Sequence, residues 1–242
     1  MRGRLPARPL GEIADAAMRV FTAKGFRPAG ISDVAADLGL SHGAVYTYAD
    51  SKQALLYLAL LRALDPDGVD LLEAPVTAPA PDEIVERVRI WVGRQENSGS
   101  LAASLRDARQ ARPELSVEAE LQAVVDALYG FIERNRTVLQ LVARVSAELP
   151  ELAQFYFVEN RRAILARLGE FLSSRIDAGL LRPVPDVPVA ARFIVETIAW
   201  FAMHRHGDPD SAMLSDEDCR RTVRDLVPSA FLPAGRTPRT EP

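Results

Sequence analysis

Small and hydrogen-bonding side chains are concentrated between residues 41 and 48 of this chain. The positions expected to face outward carry hydroxyls, an imidazole, a phenol and one missing side chain, and none of them is acidic. Such groups can donate and accept hydrogen bonds without adding negative charge, which suits contact with base edges and phosphates. These outward positions are Ser41, His42, Gly43, Tyr46 and Thr47.

Two short helices joined by a tight turn are predicted to position these side chains. The first covers Ile31–Leu38, where apolar residues recur every three or four positions. Gly39 suits a helix C-terminus, the apolar Leu40 can fill the corner between the helices, and Ser41 suits the N-cap of a second helix that runs to residue 47 or 48. A longer helix is predicted before them, at 10–24.

Gly43 inside the second of the two short helices costs about 1 kcal/mol relative to alanine. Either a surface helix tolerates it, or the missing side chain lets another backbone approach closely. This spacing is typical of a helix-turn-helix, whose second helix enters a DNA major groove.

Residues 11–61 resemble the N-terminal domain of the TetR family of bacterial transcriptional repressors. The segments that carry the resemblance are EIADAAMRVFTAKGF, ISDVAADLGLSHGAVYTY and SKQALLYLAL. Two positions depart from the family pattern. Gly30 stands where the family usually has a Ser or Thr cap, which weakens the cap of the second helix. Ala49 replaces the usual Phe, which removes a packing ring beside Tyr48 and the fourth helix.

The resemblance implies specific roles for the residues around the predicted turn. Ser41, His42, Gly43 and Thr47 are expected nearest base edges in the major groove. Lys52 matches a phosphate contact of the family, and free amide groups at the start of its helix would add to such a site. The alternative for Lys52 is an ordinary exposed lysine. The residues expected on phosphates are Ser32, Tyr46, Tyr48 and Lys52.

An all-α fold of two domains is predicted for the chain as a whole, since no stretch alternates with period two. Proline, glycine and capping residues separate the helical stretches. The predicted organisation is a flexible basic arm at 1–9, a helix-turn-helix domain at 10–64, a connector at 65–81, a helical effector-binding and dimerisation domain at 82–232, and a disordered tail at 233–242. In the last domain we expect helices at 82–96, 101–109, 115–135, 136–148, 151–178, 188–206 and 216–229.

Charge is unevenly distributed along the chain, whose net charge is −4. Residues 1–62 hold eight Lys or Arg against five Asp or Glu, and the remainder holds 21 against 28. Because residues 1–62 are net positive, the net negative charge of the whole chain is compatible with a nucleic-acid partner. The arginines of the arm either keep a tail solvated or contact phosphate or the minor groove.

The single cysteine, Cys219, excludes an intramolecular disulfide and fits a reducing compartment. The N-terminus lacks the apolar core of a secretory signal. No stretch approaches the roughly 18 apolar residues of a membrane span. We therefore expect a cytoplasmic protein without a membrane partner.

A homodimer is expected from the last two predicted helices. The helix at 188–206 is apolar nearly all round, so it must be covered on several sides, and a second subunit is a natural cover. The resemblance implies that these helices pair with their symmetry mates in a four-helix bundle. The residues expected at this interface are Phe193, Ile194, Thr197, Ile198, Phe201, Val223, Leu226 and Val227.

Signatures of catalysis are absent from the sequence. It contains no phosphate-binding glycine loop and no nucleophile elbow. His204 and His206 lie two residues apart and form a poor metal-ligand set with Cys219, so no metal, cofactor or catalytic residue is predicted. Aromatic residues of the domain at 82–232 belong either to its core or to an effector cavity between helices. The candidates for ligand binding are Trp91, Phe155, Tyr156 and Trp200.

The sequence therefore predicts a homodimeric, ligand-responsive transcriptional regulator. We expect a repressor that binds a (pseudo)palindromic double-stranded DNA operator and is released by a small-molecule effector. One alternative is an all-helical small-molecule binding protein whose DNA head is non-functional. Another is an enzyme with an unrecognised helical active site.

Overall fold

A computed structural model of the chain describes residues 8–97, 116–146, 149–211 and 213–233. Within these ranges the secondary structure is helical, with one isolated bridge and no strand, which confirms the predicted all-α class. The chain divides into two compact units, residues 1–92 with 137–159 and residues 93–136 with 160–242. Most of the predicted arm (1–7), the predicted helix at 101–109 and the predicted tail from 234 onward lie outside the described residues.

The first four helices form the N-terminal part of the first unit. They are α1 (Leu10–Lys24), α2 (Ile31–Leu38), α3 (His42–Val45) and α4 (Lys52–Leu64). The bounds of α1 and α2 coincide with the predicted ones. Gly25 and Gly39, which follow them, have φ of 86° and 65°, a conformation that only glycine adopts easily. α1 packs along α4, and α2 packs on α1 and α3. Fully buried side chains of this core include Ile13, Phe21, Val34, Leu55 and Leu58.

The predicted connector is attached to the end of this helical head. It contains a short helix, α5 (Pro66–Val69), whose Val69 is completely buried. Further along, the Val76 amide donates to the Tyr48 carbonyl at 2.7 Å, and the Asp50 amide donates to the Val76 carbonyl at 3.0 Å. The Thr77 hydroxyl donates to the Asp50 carboxylate at 2.6 Å. This stretch is thus fixed by backbone pairing that its Pro-rich sequence does not reveal.

The remaining helices are α6 (Pro81–Asn97), α7 (Val117–Arg134), α8 (Arg136–Ser146), α9 (Pro150–Ala153), α10 (Arg162–Asp177), α11 (Val187–Ala202) and α12 (Asp216–Ser229). Two predicted helices are interrupted. The one expected at 151–178 contains a π-helical segment, Gln154–Arg161, between α9 and α10. The one expected at 188–206 ends at Ala202 and continues as a 3₁₀ turn, His204–Gly207.

A buried arginine explains why α11 ends early. Arg205 is 4% exposed. Its guanidinium donates to the carbonyls of Phe201 at 2.8 Å and Leu214 at 3.0 Å, and it pairs with Asp216. These bonds tie the turn after α11 to the start of α12. A continued α-helix would carry Arg205 away from these partners.

The second unit is built from α7, α10, α11 and α12. α10 packs on α11, and α7, α11 and α12 pack on one another. A buried ion pair joins α7 to α10, since Arg175 Nε lies 2.7 Å from Glu120 Oε2 and both side chains are at most 10% exposed. An exposed pair, Arg224–Asp126 at 2.8 Å, joins α12 to α7.

Candidate nucleic-acid interface

The exposed stretch 41–47 begins with a capped, very short helix. The Ser41 hydroxyl accepts a hydrogen bond from the Ala44 amide at 3.2 Å, which is the N-cap predicted for this residue. Val45 is 1% exposed and anchors α3 to the head. The Thr47 hydroxyl donates to the Ala44 carbonyl at 2.7 Å, and the helix ends before Tyr46. α3 is thus shorter than the predicted helix and continues as turns through Thr47 and Tyr48.

The side chains predicted to face outward are exposed in the structure. Their surface carries one imidazole, one phenol and two hydroxyls around a glycine, and it includes no acidic group. Tyr46 is 43% exposed, and its ring meets the His42 imidazole edge-on with 5.5 Å between the centroids. The exposed residues of this surface are Ser41, His42, Gly43, Tyr46 and Thr47.

Ser32 brings α2 to the edge of the same surface. Its hydroxyl lies 3.0 Å from Nδ1 of His42, and both residues are exposed. The turn that places them together has Gly39 at φ 65° and a half-buried Leu40 at the corner, as the sequence predicts. This hydrogen bond joins one residue predicted on a phosphate to one predicted on a base edge.

Lys52 is half-buried at the start of α4, where Ser51 is the N-cap. Its ammonium donates to the Arg27 carbonyl at 3.1 Å and lies 4.6 Å from the centroid of the Phe26 ring. An ammonium has three donors, so the bond to Arg27 leaves donors for a phosphate. Phe26 and Arg27 lie some 25 positions away in the chain, and no local pattern in the sequence pointed to them.

Tyr48 is placed differently from the other predicted phosphate contacts. It is 3% exposed, and its carbonyl accepts from the Val76 amide. The neighbouring Ala49, where the family usually has Phe, is 1% exposed and forms the isolated bridge with Val76. A ring packed in the head offers little to a phosphate, so the interface proposed below leaves Tyr48 out.

Basic residues of α1 neutralise the acidic residues of α2. Lys24 Nζ lies 2.7 Å from Asp33, whose carboxylate also accepts from the Gly30 amide at 2.7 Å. The Lys24 hydrogen bond, followed by that amide, lowers the pKa of Asp33. Arg19 lies 2.6 Å from Asp37, and this hydrogen bond raises the pKa of the Arg19 guanidinium. Asp33 thus partly replaces the cap that Gly30 lacks, a compensation that the sequence analysis missed although Asp33 stands at the capping-box position.

The four candidate ligand-binding aromatics have different surroundings. In the first unit, Trp91 is 7% and Phe155 5% exposed, and the Arg89 guanidinium lies 4.5 Å from the Phe155 ring centroid. Tyr156 is half-buried and meets Phe157 edge-on. In the second unit, Trp200 is 37% exposed and packs edge-on against Phe201. A groove of about 930 Å³ between α10 and α11 is lined by Leu165, Gly169 and Val189, and none of the four is among the described residues that line it.

The eight residues predicted at a dimer interface fall into two groups. Ile194, Ile198, Val223 and Val227 are at most 3% exposed and form the core of their own unit. Phe193 at 51% and Leu226 at 60% are exposed, while Thr197 and Phe201 are half-buried. The exposed apolar side of α11 carries Val189, Phe193 and Trp200, which recur at spacings of four and seven. Exposed apolar side chains that share one helix face are those available to a partner.

The described residues also bear on metal binding and on membrane insertion. Among the described residues, no cluster of three or more His, Cys, Asp or Glu side chains is arranged to hold a metal ion. None of the described helices is both long enough and apolar enough to span a membrane.

Comparison with known proteins identifies both parts of the chain. The model described as "Bacterial regulatory proteins, tetR family" matches residues 13–57. The model described as "AefR-like transcriptional repressor, C-terminal domain" matches residues 119–232. An uncharacterized HTH-type transcriptional regulator, YfiR, from Bacillus subtilis (strain 168) is 25% identical over 221 residues, which cover 91% of this chain and 87% of YfiR.

Solved structures share the fold. The ketosteroid transcriptional regulator KstR2 of Mycobacterium tuberculosis has a TM-score of 0.55 and 18% identity, with 96% of this chain and 98% of that one covered. A bacterial regulatory protein in the TetR family from Rhodococcus RHA1 has a TM-score of 0.50 and 19% identity, with 92% and 96% covered. One family model matches the part of the chain that contains the exposed α3, and the other matches most of the helical second unit. The chain belongs to the TetR family of transcriptional regulators.

Proposed function

We propose that this protein is a ligand-responsive repressor that binds a (pseudo)palindromic DNA operator as a homodimer. The observation that carries the proposal is the exposed surface formed by α3 and the turn after it. This surface is polar, carries no Asp or Glu, and has Gly43 at its centre. An α-helix or its first turn fits the major groove, and side chains on such a surface can reach base edges. The description of the matched C-terminal model as that of a repressor supports repression rather than activation.

The residues of the proposed interface divide into two groups by the partner they would contact. Ser41, His42, Gly43 and Thr47 are assigned to base edges. Tyr46 and Lys52 are assigned to phosphates, which would fix the register of the head without carrying sequence information. Ser32 is left out of this group because its hydroxyl already bonds the His42 ring. The pairing of Asp33 and Asp37 with Lys24 and Arg19 supports this assignment, because it limits repulsion between α2 and the phosphates.

Dimerisation is assigned to the exposed face of α11 and to Leu226 of α12. Phe193, Trp200 and Leu226 are large apolar side chains left exposed on the second unit. A twofold dimer through them would present two α3 helices to half-sites separated by one or more helical turns of DNA. Trp200, a ligand candidate in the sequence analysis, is better assigned to this contact because of its exposure.

The effector is proposed to be a small molecule bound by the domain at 82–232. The aromatic residues that support this assignment are Trp91, Phe155 and Tyr156. An effector shifts the operator-bound population only by its differential affinity for the two conformers, a coupling of about 1–3 kcal/mol in typical cases.

A gel-shift assay on the DNA that flanks the protein's own coding region tests the proposal. Full-length protein should shift one palindrome-containing fragment at concentrations that leave unrelated DNA of equal length free. The triple variant with Ser41, His42 and Thr47 changed to alanine should lose this preference. It should keep weak salt-dependent binding, because the phosphate contacts remain. Equal binding of all fragments by the unaltered protein would contradict the proposal.

Release is tested on the same fragment. A library of small apolar metabolites is screened for compounds that raise the thermal midpoint of the protein, since a ligand stabilises the state that it binds. A compound that does so should also weaken the shift of the specific fragment. Stabilising compounds that leave operator affinity unchanged would contradict the assignment as an effector-released repressor.

A further inference from the structure

Ser32 and His42 belong to different helices, yet their side chains are in direct contact. Ser32 is the second residue of α2 and His42 the first of α3, ten positions later. Ser32 Oγ lies 3.0 Å from His42 Nδ1. Both side chains are exposed on the surface assigned above to DNA. The contact is therefore located where it can affect how that surface recognises a base.

The remaining contacts of the His42 ring restrict its orientation. The Nδ1 atom of His42 is hydrogen-bonded to the Ser32 hydroxyl. The Tyr46 ring meets the imidazole edge-on, with 5.5 Å between the ring centroids. Nε2 has no hydrogen-bond partner among the described residues. A neutral imidazole carries one N–H donor and one acceptor nitrogen, and the bond made by one nitrogen decides the role of the other.

We propose that Ser32 is a positioning residue that sets the tautomer of His42 for base recognition. The Ser32 hydroxyl donates to Nδ1, so the proton of the neutral ring is carried by Nε2. The Ser32 hydroxyl has no other acceptor among the described residues, so its single O–H is available to Nδ1. This inference rests on the proposed function, in which His42 contacts a base edge.

The tautomer predicts which bases His42 accepts. An N–H donor needs an acceptor at the major-groove edge, which guanine offers with N7 and O6, thymine with O4 and adenine with N7. Cytosine presents its N4 amino donor there and is disfavoured. One position in each half-site is thus expected to exclude cytosine. Without Ser32 the imidazole could take either tautomer, and this discrimination would weaken by about five- to tenfold, the effect of one neutral hydrogen bond.

Nitrogen NMR of the full-length protein labelled with ¹⁵N-histidine tests the tautomer without DNA. The chain has three histidines, so the His42 signals can be assigned by comparison with His42→Ala. At alkaline pH, His42 is expected to show a protonated Nε2 and an unprotonated Nδ1. Ser32→Ala should move both signals toward the average of the two tautomers, and Ser32→Thr should restore them. A proton on Nδ1 in the unaltered protein would overturn the inference.

Selection from random duplex DNA tests the consequence for sequence preference. The unaltered protein, Ser32→Ala, Ser32→Thr and His42→Ala are compared at one salt concentration. Ser32→Ala and His42→Ala should relax the same symmetric base pair, and Ser32→Thr should retain the preference. Uniform weakening at all positions, or no change, would assign Ser32 a structural or phosphate role and overturn the inference. If the unaltered protein enriches no sequence, the proposed function fails, while the NMR result still decides the Ser32–His42 contact.

Discussion

Gly43 lies on the exposed side of α3, where a Cβ atom would meet no other atom of the protein within 4 Å. Its φ is not positive, unlike that of Gly39, so its backbone does not require glycine. Glycine within a helix nevertheless lowers stability by about 1 kcal/mol relative to alanine. The described residues therefore give no intramolecular reason for this glycine, which favours the proposal that DNA approaches α3 closely at this position.

Gly43→Ala is expected to leave the fold intact and to weaken operator binding. The added methyl group raises helix propensity, so the free energy of unfolding should stay the same or rise by up to about 1 kcal/mol. The same methyl group should collide with the groove and lower operator affinity at least about tenfold, since 1.4 kcal/mol of lost contact corresponds to that factor. Urea denaturation and the gel shift measure the two effects. Gly93→Ala in α6, where a Cβ also meets nothing within 4 Å, is the matched control that should not change DNA binding.

Lys52→Ala is expected to weaken binding to all DNA sequences alike. Loss of one phosphate contact in each protomer should reduce the slope of log K against log salt by about 1 for each lysine removed. Lys52→Arg should retain most of the slope. Arg221→Ala removes an exposed positive charge of α12, which is assigned no contact with DNA, and serves as the control. A salt slope that Lys52→Ala leaves unchanged would remove Lys52 from the phosphate contacts.

Ion pairs connect neighbouring helices within each unit. α1 and α2 are joined by Lys24–Asp33 and Arg19–Asp37 on the surface. α7 and α10 are joined by the buried Glu120–Arg175 pair. Exposed pairs contribute little because water and salt screen them, whereas breaking a buried pair leaves an uncompensated charge. The two kinds of pair therefore predict different results.

Asp33→Asn is expected to reduce the dependence of stability on acidic pH. The pKa of Asp33 is lowered in the folded protein by the Lys24 hydrogen bond and by the Gly30 amide. The stability that it contributes is complete above the unfolded aspartate pKa of about 4 and is lost as pH falls through the lower folded pKa. Urea denaturation between pH 7 and pH 3 should show a smaller loss for Asp33→Asn than for the unaltered chain. Asp82→Asn, at the exposed start of α6, is the control, and an equal loss for both variants would contradict the prediction.

Removing one partner of the Glu120–Arg175 pair is expected to destabilise the second unit strongly. Glu120→Ala should lower the free energy of unfolding by about 3–5 kcal/mol, because it removes the carboxylate that compensates the buried charge of Arg175. Replacing both residues by leucine and methionine should recover most of the loss. Arg224→Ala breaks the exposed pair with Asp126 and should change stability by less than about 1 kcal/mol. Similar losses for Glu120→Ala and Arg224→Ala in urea denaturation would show that burial does not govern these pairs.

At the scale of the whole molecule, the second unit leaves large apolar side chains exposed on α11 and α12. Phe193, Trp200 and Leu226 are exposed although their neighbours Ile194, Ile198 and Val227 complete the core. Apolar side chains recurring on one exposed helix face mark a contact with another chain more often than a solvent-facing surface. Self-association through a twofold axis would cover them in both copies at once.

The double variant Phe193→Asp/Leu226→Asp is expected to be monomeric. Two carboxylates buried on each side of a twofold interface would be unpaired, and their desolvation disfavours association. Sedimentation velocity should report the mass of one chain for the variant and of two for the unaltered protein, with operator affinity falling in parallel. Leu71→Asp, at a leucine of the first unit that is 84% exposed, should leave the mass unchanged. A dimeric double variant would place the interface elsewhere.

The elements that follow local rules were predictable from the sequence. Leu10–Lys24, Ile31–Leu38 and Asp216–Ser229 have the predicted bounds, because apolar spacing together with glycine or serine caps specifies a helix within a few residues. The π-helical segment and the early end of α11 were not predictable in this way. The early end of α11 depends on the bonds of Arg205 to Leu214 and Asp216, which lie beyond the helix that they terminate.

The helical class, the helix-turn-helix and the outward residues of 41–47 can be predicted from local sequence, because each depends on periodicity and on neighbours a few positions away. Packing between distant residues is needed to bury Tyr48 beside Val76, to bring Ser32 against His42, and to leave Phe193 rather than Ile194 exposed. These outcomes depend on which face of a helix meets another helix. Amphipathic spacing limits that choice to a broad stripe, and packing against distant residues selects the side chains within it.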